Sequence, residues 1–244
     1  MTKPTPRLLD EFTLEQRPVV ANCSMNRLRT LRGSNGYDTE LHIDALTELR
    51  RRLTRKTVVR WLDLCCGAGK ALIEAAHQVE AMALTNRIEM VGLDLAGHFD
   101  PIDEGLANLQ LVESSIRAWA PAAQFDLITC VHGLHYVGDK LGAIQRAISW
   151  LTEDGLFVAS LDVDNVRNEA GAPLGRPLRR AFQRAQTDYV SGKHLVRRVG
   201  GAELRLPFRF LGADEDAGPN YTGQPAVNSH YRIVTTPPLG VRPA

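Results

Sequence analysis

A short apolar run, Val58-Val-Arg-Trp-Leu-Asp-Leu64, passes through Cys65-Cys-Gly-Ala-Gly69 into a stretch whose Leu72, Ala76, Val79 and Met82 recur at helical spacing. The run is short, nearly continuous and rich in β-branched residues, which predicts a strand buried on both faces. Glycines between such a strand and a helix let backbone approach a ligand closely, and the helix start behind them offers free N–H groups. The alternation repeats. Strand signals follow at 88–93, 109–112, 125–131 and 156–161, with a helix over 139–151 whose stripe is Leu141, Ile144, Ile148 and Leu151. Strands alternating with helices require crossover connections, so the predicted fold is a three-layer, doubly wound α/β domain on a mostly parallel sheet.

The flanks read differently. Residues 1–36, with Pro4, Pro6, Pro18, Gly33 and Gly36, predict an irregular arm. From Asp38 the stripe Ile43, Leu46, Leu49 and Leu53 predicts a helix, and Arg50, Arg51, Arg52, Arg55 and Lys56 suit its negative C-terminal end. Beyond Asp164 a helix with a basic side is expected over 174–189, carrying Arg176, Arg179, Arg180 and Arg184. Gly200-Gly201 then predicts a hairpin between 195–199 and 202–211, with Pro207 confining its second arm to an edge or bulge. A last strand is expected over Ser229 to Thr235.

Composition narrows the function. At 244 residues, 44% hydrophobic and 23% charged, the chain suits one globular domain with an elaboration, and disorder and coiled coil are poor fits. No stretch approaches the roughly 18 apolar residues of a membrane span. Lys plus Arg is 29 against 28 for Asp plus Glu, a net charge of +1, so no field draws in a polyanion. Neither nucleic acid nor membrane is therefore the expected partner. Of Cys23, Cys65, Cys66 and Cys130, two are adjacent and none shows zinc spacing, so buried thiols are expected and no metal site. The first twelve residues lack an apolar core of signal-peptide length, which leads us to expect a cytoplasmic protein.

Asp94 ends the second strand signal, Val91-Gly-Leu-Asp94, where a short carboxylate can accept from a ribose diol. A nucleotide-like ligand follows. The ordered set of segments resembles the class I S-adenosylmethionine-dependent methyltransferases: Asp63 to Gly69 is similar to their first motif and Val91 to Ala96 to their second. Phe125 to Val131 is similar to their fourth strand, and Leu151 to Val158 to the turn into the fifth. The resemblance covers residues 58–163 and implies a seven-stranded sheet with an antiparallel C-terminal strand. A nicotinamide-binding domain would need G-x-G-x-x-G, whereas this turn has only Gly67 and Gly69, with Asp63 ahead of them. Cys65 stands where the family has its first glycine.

Position by position, the resemblance implies that Asp63, Cys65, Gly67 and Gly69 hold the methionine part of the donor and that Asp94 binds the ribose. It implies further that Leu95 packs on the adenine, that Ser115 and Ile116 read its edge, and that Cys130 and Val131 present backbone to the amino group. Tyr37 is expected to close over the donor. Methyl transfer needs alignment, and a base only where the acceptor must lose a proton. His132, His135 and Tyr136, just past the fourth strand, are the catalytic candidates, with Tyr221, His230 and Tyr231 in the acceptor pocket.

The expected function is transfer of methyl from S-adenosylmethionine to O, N or C of a small molecule. Residues 1–57 would form a cover, 58–163 the donor-binding core, and 164–244 would complete the sheet and acceptor pocket. A donor-binding protein that is cyclase-like or regulatory, and an RNA or protein methyltransferase, are the alternatives.

Overall fold

The computed structural model describes residues 7–21, 28–215 and 218–234; Cys23 lies outside them. Two short helices, α1 (Glu11–Glu15) and α2 (Pro18–Ala21), come first. The helix expected from Asp38 is two, α3 (Tyr37–Leu41) and α4 (Ala45–Arg52). His42 takes a left-handed conformation, φ 53°, and Asp44 caps α4 by accepting from the Thr47 N–H. An Asp that bonds the following backbone ends one helix and starts another, which the apolar stripe alone does not reveal.

The core then runs β1 (Val59–Leu64), α5 (Lys70–Ala81), β2 (Ile88–Asp94), β3 (Leu109–Glu113), β4 (Phe125–Cys130), α6 (Lys140–Ser149) and β5 (Leu151–Ser160). The C-terminal part adds β6 (Val166–Asn168), α7 (Gly175–Arg184), β7 (Asp188–Val190), β8 (Leu195–Val199), β9 (Phe208–Asp214) and β10 (Asn228–Ile233). Seven strands form one sheet in the order β3-β2-β1-β4-β5-β8-β7, and β6-β10-β9 form a second. Pairings from β3 to β5 are parallel, while β8 lies antiparallel to both neighbours. The fold is thus the mostly parallel α/β sheet expected. Its antiparallel member is β8, not the last strand, since β10 belongs to the second sheet.

The expected hairpin is absent. Leu195–Val199 pairs with Leu156–Ser160 of β5, and β9 pairs with β10. Gly200 and Gly201 serve close approach to β5 rather than a two-residue turn. A Cβ on Gly201 would lie 2.2 Å from the Leu151 carbonyl oxygen, and its N–H donates to Thr152 O at 2.9 Å. Pro207 precedes β9, an edge strand, so its missing donor costs the ladder nothing.

Apolar residues pack on both faces of the large sheet. Leu46, Leu49, Leu72, Ala76 and Val79 from α4 and α5 cover one face; Leu141, Ile144, Ile148, Leu178 and Phe182 from α6 and α7 cover the other. Each of these side chains larger than alanine contributes about 1.5–3 kcal/mol on burial, which fixes the strand ends that carry the site. Among the described residues no helix is long and apolar enough to cross a membrane.

Candidate active site

The strand order reverses between β1 and β4, and at such a switch point the loops leaving neighbouring strands run to opposite faces and open a crevice at the carboxyl ends. A cleft of about 850 Å³, counting its open mouth, lies there. Cys65 and Gly67 after β1, Asp94, Leu95 and Ala96 at the end of β2, Ser115, Ile116 and Arg117 after β3, and Gly133 and Tyr136 after β4 line it. Asp94 Oδ2 accepts from the Gly67 N–H at 2.9 Å and Oδ1 from the Ala96 N–H at 3.0 Å, so one carboxylate ties two loops together at the cleft wall. Gly69, at φ 79°, starts α5 with no side-chain cap, which leaves the partial positive charge of that helix end toward the loop.

Cys65 adopts φ 56°, a left-handed conformation that glycine takes without cost. Its side chain fits because residue 133 is glycine: a Cβ there would lie 2.2 Å from the Cys65 Cβ and 2.7 Å from its sulfur. The same Cβ would come 2.9 Å from the Cys130 sulfur. Cys65, Cys66 and Cys130 are free thiols.

Several expected donor residues lie beneath the cleft rather than in it. Asp63 is fully buried, and both of its oxygens are engaged, Oδ1 by the Thr129 hydroxyl and Oδ2 by the Tyr37 hydroxyl at 2.7 Å. Thr129 in turn accepts from the Trp61 indole at 2.8 Å. Burial pushes the Asp63 carboxyl up to about 7, against these two donors. Tyr37, packed edge-on to Trp61, is therefore a buried partner of Asp63 and not a cover. Gly69, Cys130 and Val131 are also buried and line none of the cleft.

The cover comes from α1 and α2, which contribute Glu11, Glu15 and Val20. Glu15 accepts from the Ser115 hydroxyl and lies 3.8 Å from the Arg117 guanidinium; Glu11 accepts from the Asp139 N–H at 3.3 Å. The Ser115 hydroxyl, expected to read an adenine edge, is thus held by α1. Burial, then the charge of Asp139, pushes the Glu11 carboxyl up.

Beside the cleft the 3-10 turn Gly133–His135 turns the chain back, and the residue before it, His132, has φ 56°. His132 Nε2 contacts Glu40 Oε2 at 2.8 Å, and its Nδ1 lies 3.3 Å from His135 Nε2 and 3.4 Å from the Tyr221 hydroxyl. Hydrogen bonding to His132 holds the Glu40 carboxyl below its usual value. An ionised carboxylate only accepts, so Nε2 carries the proton and Nδ1 is the acceptor that faces His135 Nε2 and the Tyr221 hydroxyl, a tautomer assigned from the bonding partners. Burial pushes the His135 imidazole well down, so it is neutral, and its Nδ1 is buried without a partner. Tyr221 stacks on His194, ring centroids 3.9 Å apart at 9°, and meets His135 edge-on.

His230 and Tyr231 lie in β10, away from both groups. Tyr231 OH donates to Asp139 Oδ1 and accepts from the Leu141 N–H, each at 3.0 Å, so it pins β10 to the start of α6. His230 is buried in the second sheet, with burial holding its imidazole down. Of the three expected pocket residues only Tyr221 joins the imidazoles. Among the described residues no group of three or more His, Cys, Asp or Glu is arranged to hold a metal.

The sequence reading passed over Glu11, Glu15, Glu40 and His194. Glu11 and Glu15 stand four apart behind the cap Asp10, a helix-start signal that could have been read. Glu40 meets His132 across 92 residues, and no local pattern pairs them.

No curated protein matches this chain. Among solved structures it is similar to S-adenosylmethionine-bound CalS10, an amino pentose methyltransferase from Micromonospora echinaspora, at 23% identity over 48% of each chain with a TM-score of 0.35. It is similar also to YjhP from E. coli, at 16% identity over 72% of this chain and 73% of that one, TM-score 0.43. The [4+2]-cyclase SpnF aligns at 16% identity over 64% of this chain and 63% of that one, TM-score 0.40. The alignment spans about half the length of CalS10. A methyltransferase-domain family model matches residues 37–204, well over half of the sequence, and the chain belongs to that family.

Proposed function

We propose that the protein is an S-adenosylmethionine-dependent methyltransferase of the cytoplasm that acts on O, N or C of a small-molecule acceptor. One observation carries the reading: a cleft at the switch point is walled by Asp94 and the Gly67 loop and, across from them, by Gly133, the residue that follows His132. The residues fit the donor. Asp94 offers a carboxylate to ribose hydroxyls, Leu95, Ile116 and Val20 offer apolar walls to a purine, and the uncapped start of α5 lies behind the loop. When bound, S-adenosylmethionine supplies an electrophilic methyl on a sulfonium sulfur.

The chain's own residues do the rest. Residues 1–57 cover the cleft and frame the acceptor side, 58–163 bind the donor, and 164–244 complete the sheet and bring Tyr221 and His194 to the acceptor. His132 accepts the acceptor's proton at Nδ1, and Glu40 holds the imidazole in that tautomer and balances the charge it gains. Tyr136, whose hydroxyl donates to Gln224 Oε1 at 3.2 Å, ties the Tyr221 loop to the cleft wall. Asp63 supports the floor, through Tyr37 and Thr129.

Isothermal titration with S-adenosylhomocysteine tests donor binding. The wild type should bind, and Asp94→Asn should weaken binding about tenfold or more, one charge-assisted pair being worth ~1.5–3 kcal/mol. No binding to the wild type would sink the proposal. Binding without acceptor-dependent formation of S-adenosylhomocysteine would retain the donor site and remove the transfer.

A further inference from the structure

The Tyr221 ring is placed as a guest rather than as a strut. Its backbone is anchored independently of its ring: Tyr221 N–H donates to Asp162 Oδ2 at 2.9 Å, and Asn220 N–H closes the loop onto Gln224 O at 2.8 Å. Tyr221 is 38% exposed, and its hydroxyl sits 3.4 Å from His132 Nδ1, too long for a strong bond. It can leave without unfolding the loop. Behind it remain a flat imidazole face on His194, the edge of His135 and Nδ1 of His132, which His135 Nε2 also faces at 3.3 Å.

That vacated space has a definite chemistry. A planar ring on His194 gains stacking that a puckered one does not, about 0.5–1.5 kcal/mol beyond the area it buries. A hydroxyl donor matches Nδ1 of His132, whose other nitrogen is committed to Glu40. The orphaned Nδ1 of buried His135 marks the cluster as polar space the chain does not satisfy by itself.

We propose that the methyl acceptor is a planar aromatic compound bearing a hydroxyl, and that it displaces the Tyr221 ring to stack on His194 with its oxygen at Nδ1 of His132. The inference rests on the proposed methyl transfer and names its acceptor class. Burial pushes the phenol of Tyr221 up to about 12, so a hydroxyl in that place keeps its proton at neutral pH and depends on His132 to take it.

The test uses p-cresol, with toluene and 4-methylcyclohexanol as controls lacking the hydroxyl or the planar ring. Wild type and Tyr221→Ala, both saturated with S-adenosylhomocysteine, are titrated with each probe while the imidazole ¹⁵N resonances are followed. Tyr221→Ala should bind p-cresol at least tenfold more tightly than either control and more tightly than the wild type does, with His132 and His194 resonances moving. Equal binding of the three probes, or p-cresol binding that leaves those resonances still, overturns the proposal. Should Tyr221→Ala not fold, the wild-type preference for p-cresol over toluene decides. Loss of S-adenosylhomocysteine binding by the wild type would bring down both the function and this inference. Retained donor binding without preference for p-cresol brings down the acceptor class alone.

Discussion

Cys65 and Gly133 are a matched pair. The cysteine fills, in a backbone conformation that suits glycine, the space left by the missing Cβ opposite. Gly133→Ala should therefore cost about 1–3 kcal/mol, as overpacking of a dense site does, and weaken S-adenosylhomocysteine binding. Cys65→Gly in the same chain should restore most of both, measured by urea unfolding and calorimetry; no restoration would show that the clash lies elsewhere. Glu40 acts through His132, so Glu40→Gln should lower turnover about 100-fold while leaving donor affinity unchanged, since general-base catalysis is worth ~10²–10⁴. Equal losses in donor affinity and turnover would place Glu40 in the donor site instead.

Among the elements, α1 is a cover held by a few polar contacts: Glu15 on Ser115 and Arg117, Glu11 on the Asp139 N–H. One of these is worth ~1 kcal/mol, so Glu15→Ala should raise amide exchange across α1 about fivefold and leave β4 and β5 untouched. Exchange unchanged in α1 would mean that the apolar contact of Leu14 holds it instead. The arm was expected to cover the donor, but through Tyr37; the weak periodicity of residues 1–36 hid α1 and α2. The break at His42 went unread because the stripe starts only at Ile43, and Asp44, which caps α4, falls inside it. Gly200-Gly201 shows the opposite case, a strong local signal for a hairpin overruled by backbone packing against β5.

For the whole molecule, three buried ionisable groups act on stability near neutrality: Asp63, Lys140 and His135. Asp63 titrates at about 7 when folded against 3.8 unfolded, so between those values the folded chain holds the extra proton and stability falls as pH rises. Lys140 is fully buried, its Nζ donating to Val137 O, Val227 O and Ser229 Oγ, and burial pushes it from 10.5 down to about 7. Between pH 7 and 10.5 the unfolded chain therefore binds more protons, and stability rises with pH. His135, held well below 6.5, opposes Asp63 on the acid side, because there the unfolded chain binds the extra proton, so only the alkaline limb stands clear, with a slope of at most about 1.4 kcal/mol per pH unit. Calorimetry at pH 7 and 8 should show the higher Tm at 8. Lys140→Met should flatten that rise, and Asp63→Asn should make the Tm climb with pH on the acid side, whatever each does to overall stability. A Tm that falls from pH 7 to 8 contradicts the Lys140 assignment.

What the sequence determined by itself was local: the strand-turn-helix rhythm, the parallel sheet it requires, the glycine loop and the acid at the end of β2. These follow from periodicity, propensity and spacing, which act over a few residues. Cys65, Gly67, Asp94, Leu95, Ser115, Ile116 and Tyr136 accordingly all line the cleft. Only the tertiary structure decided which buried groups face one another. It turned Asp63 and Tyr37 toward each other, sent His230 and Tyr231 into a second sheet, and brought Glu40, His194 and Tyr221 to His132. Such contacts join segments as far as 92 residues apart, and they depend on crossover and packing geometry that no short window of sequence contains.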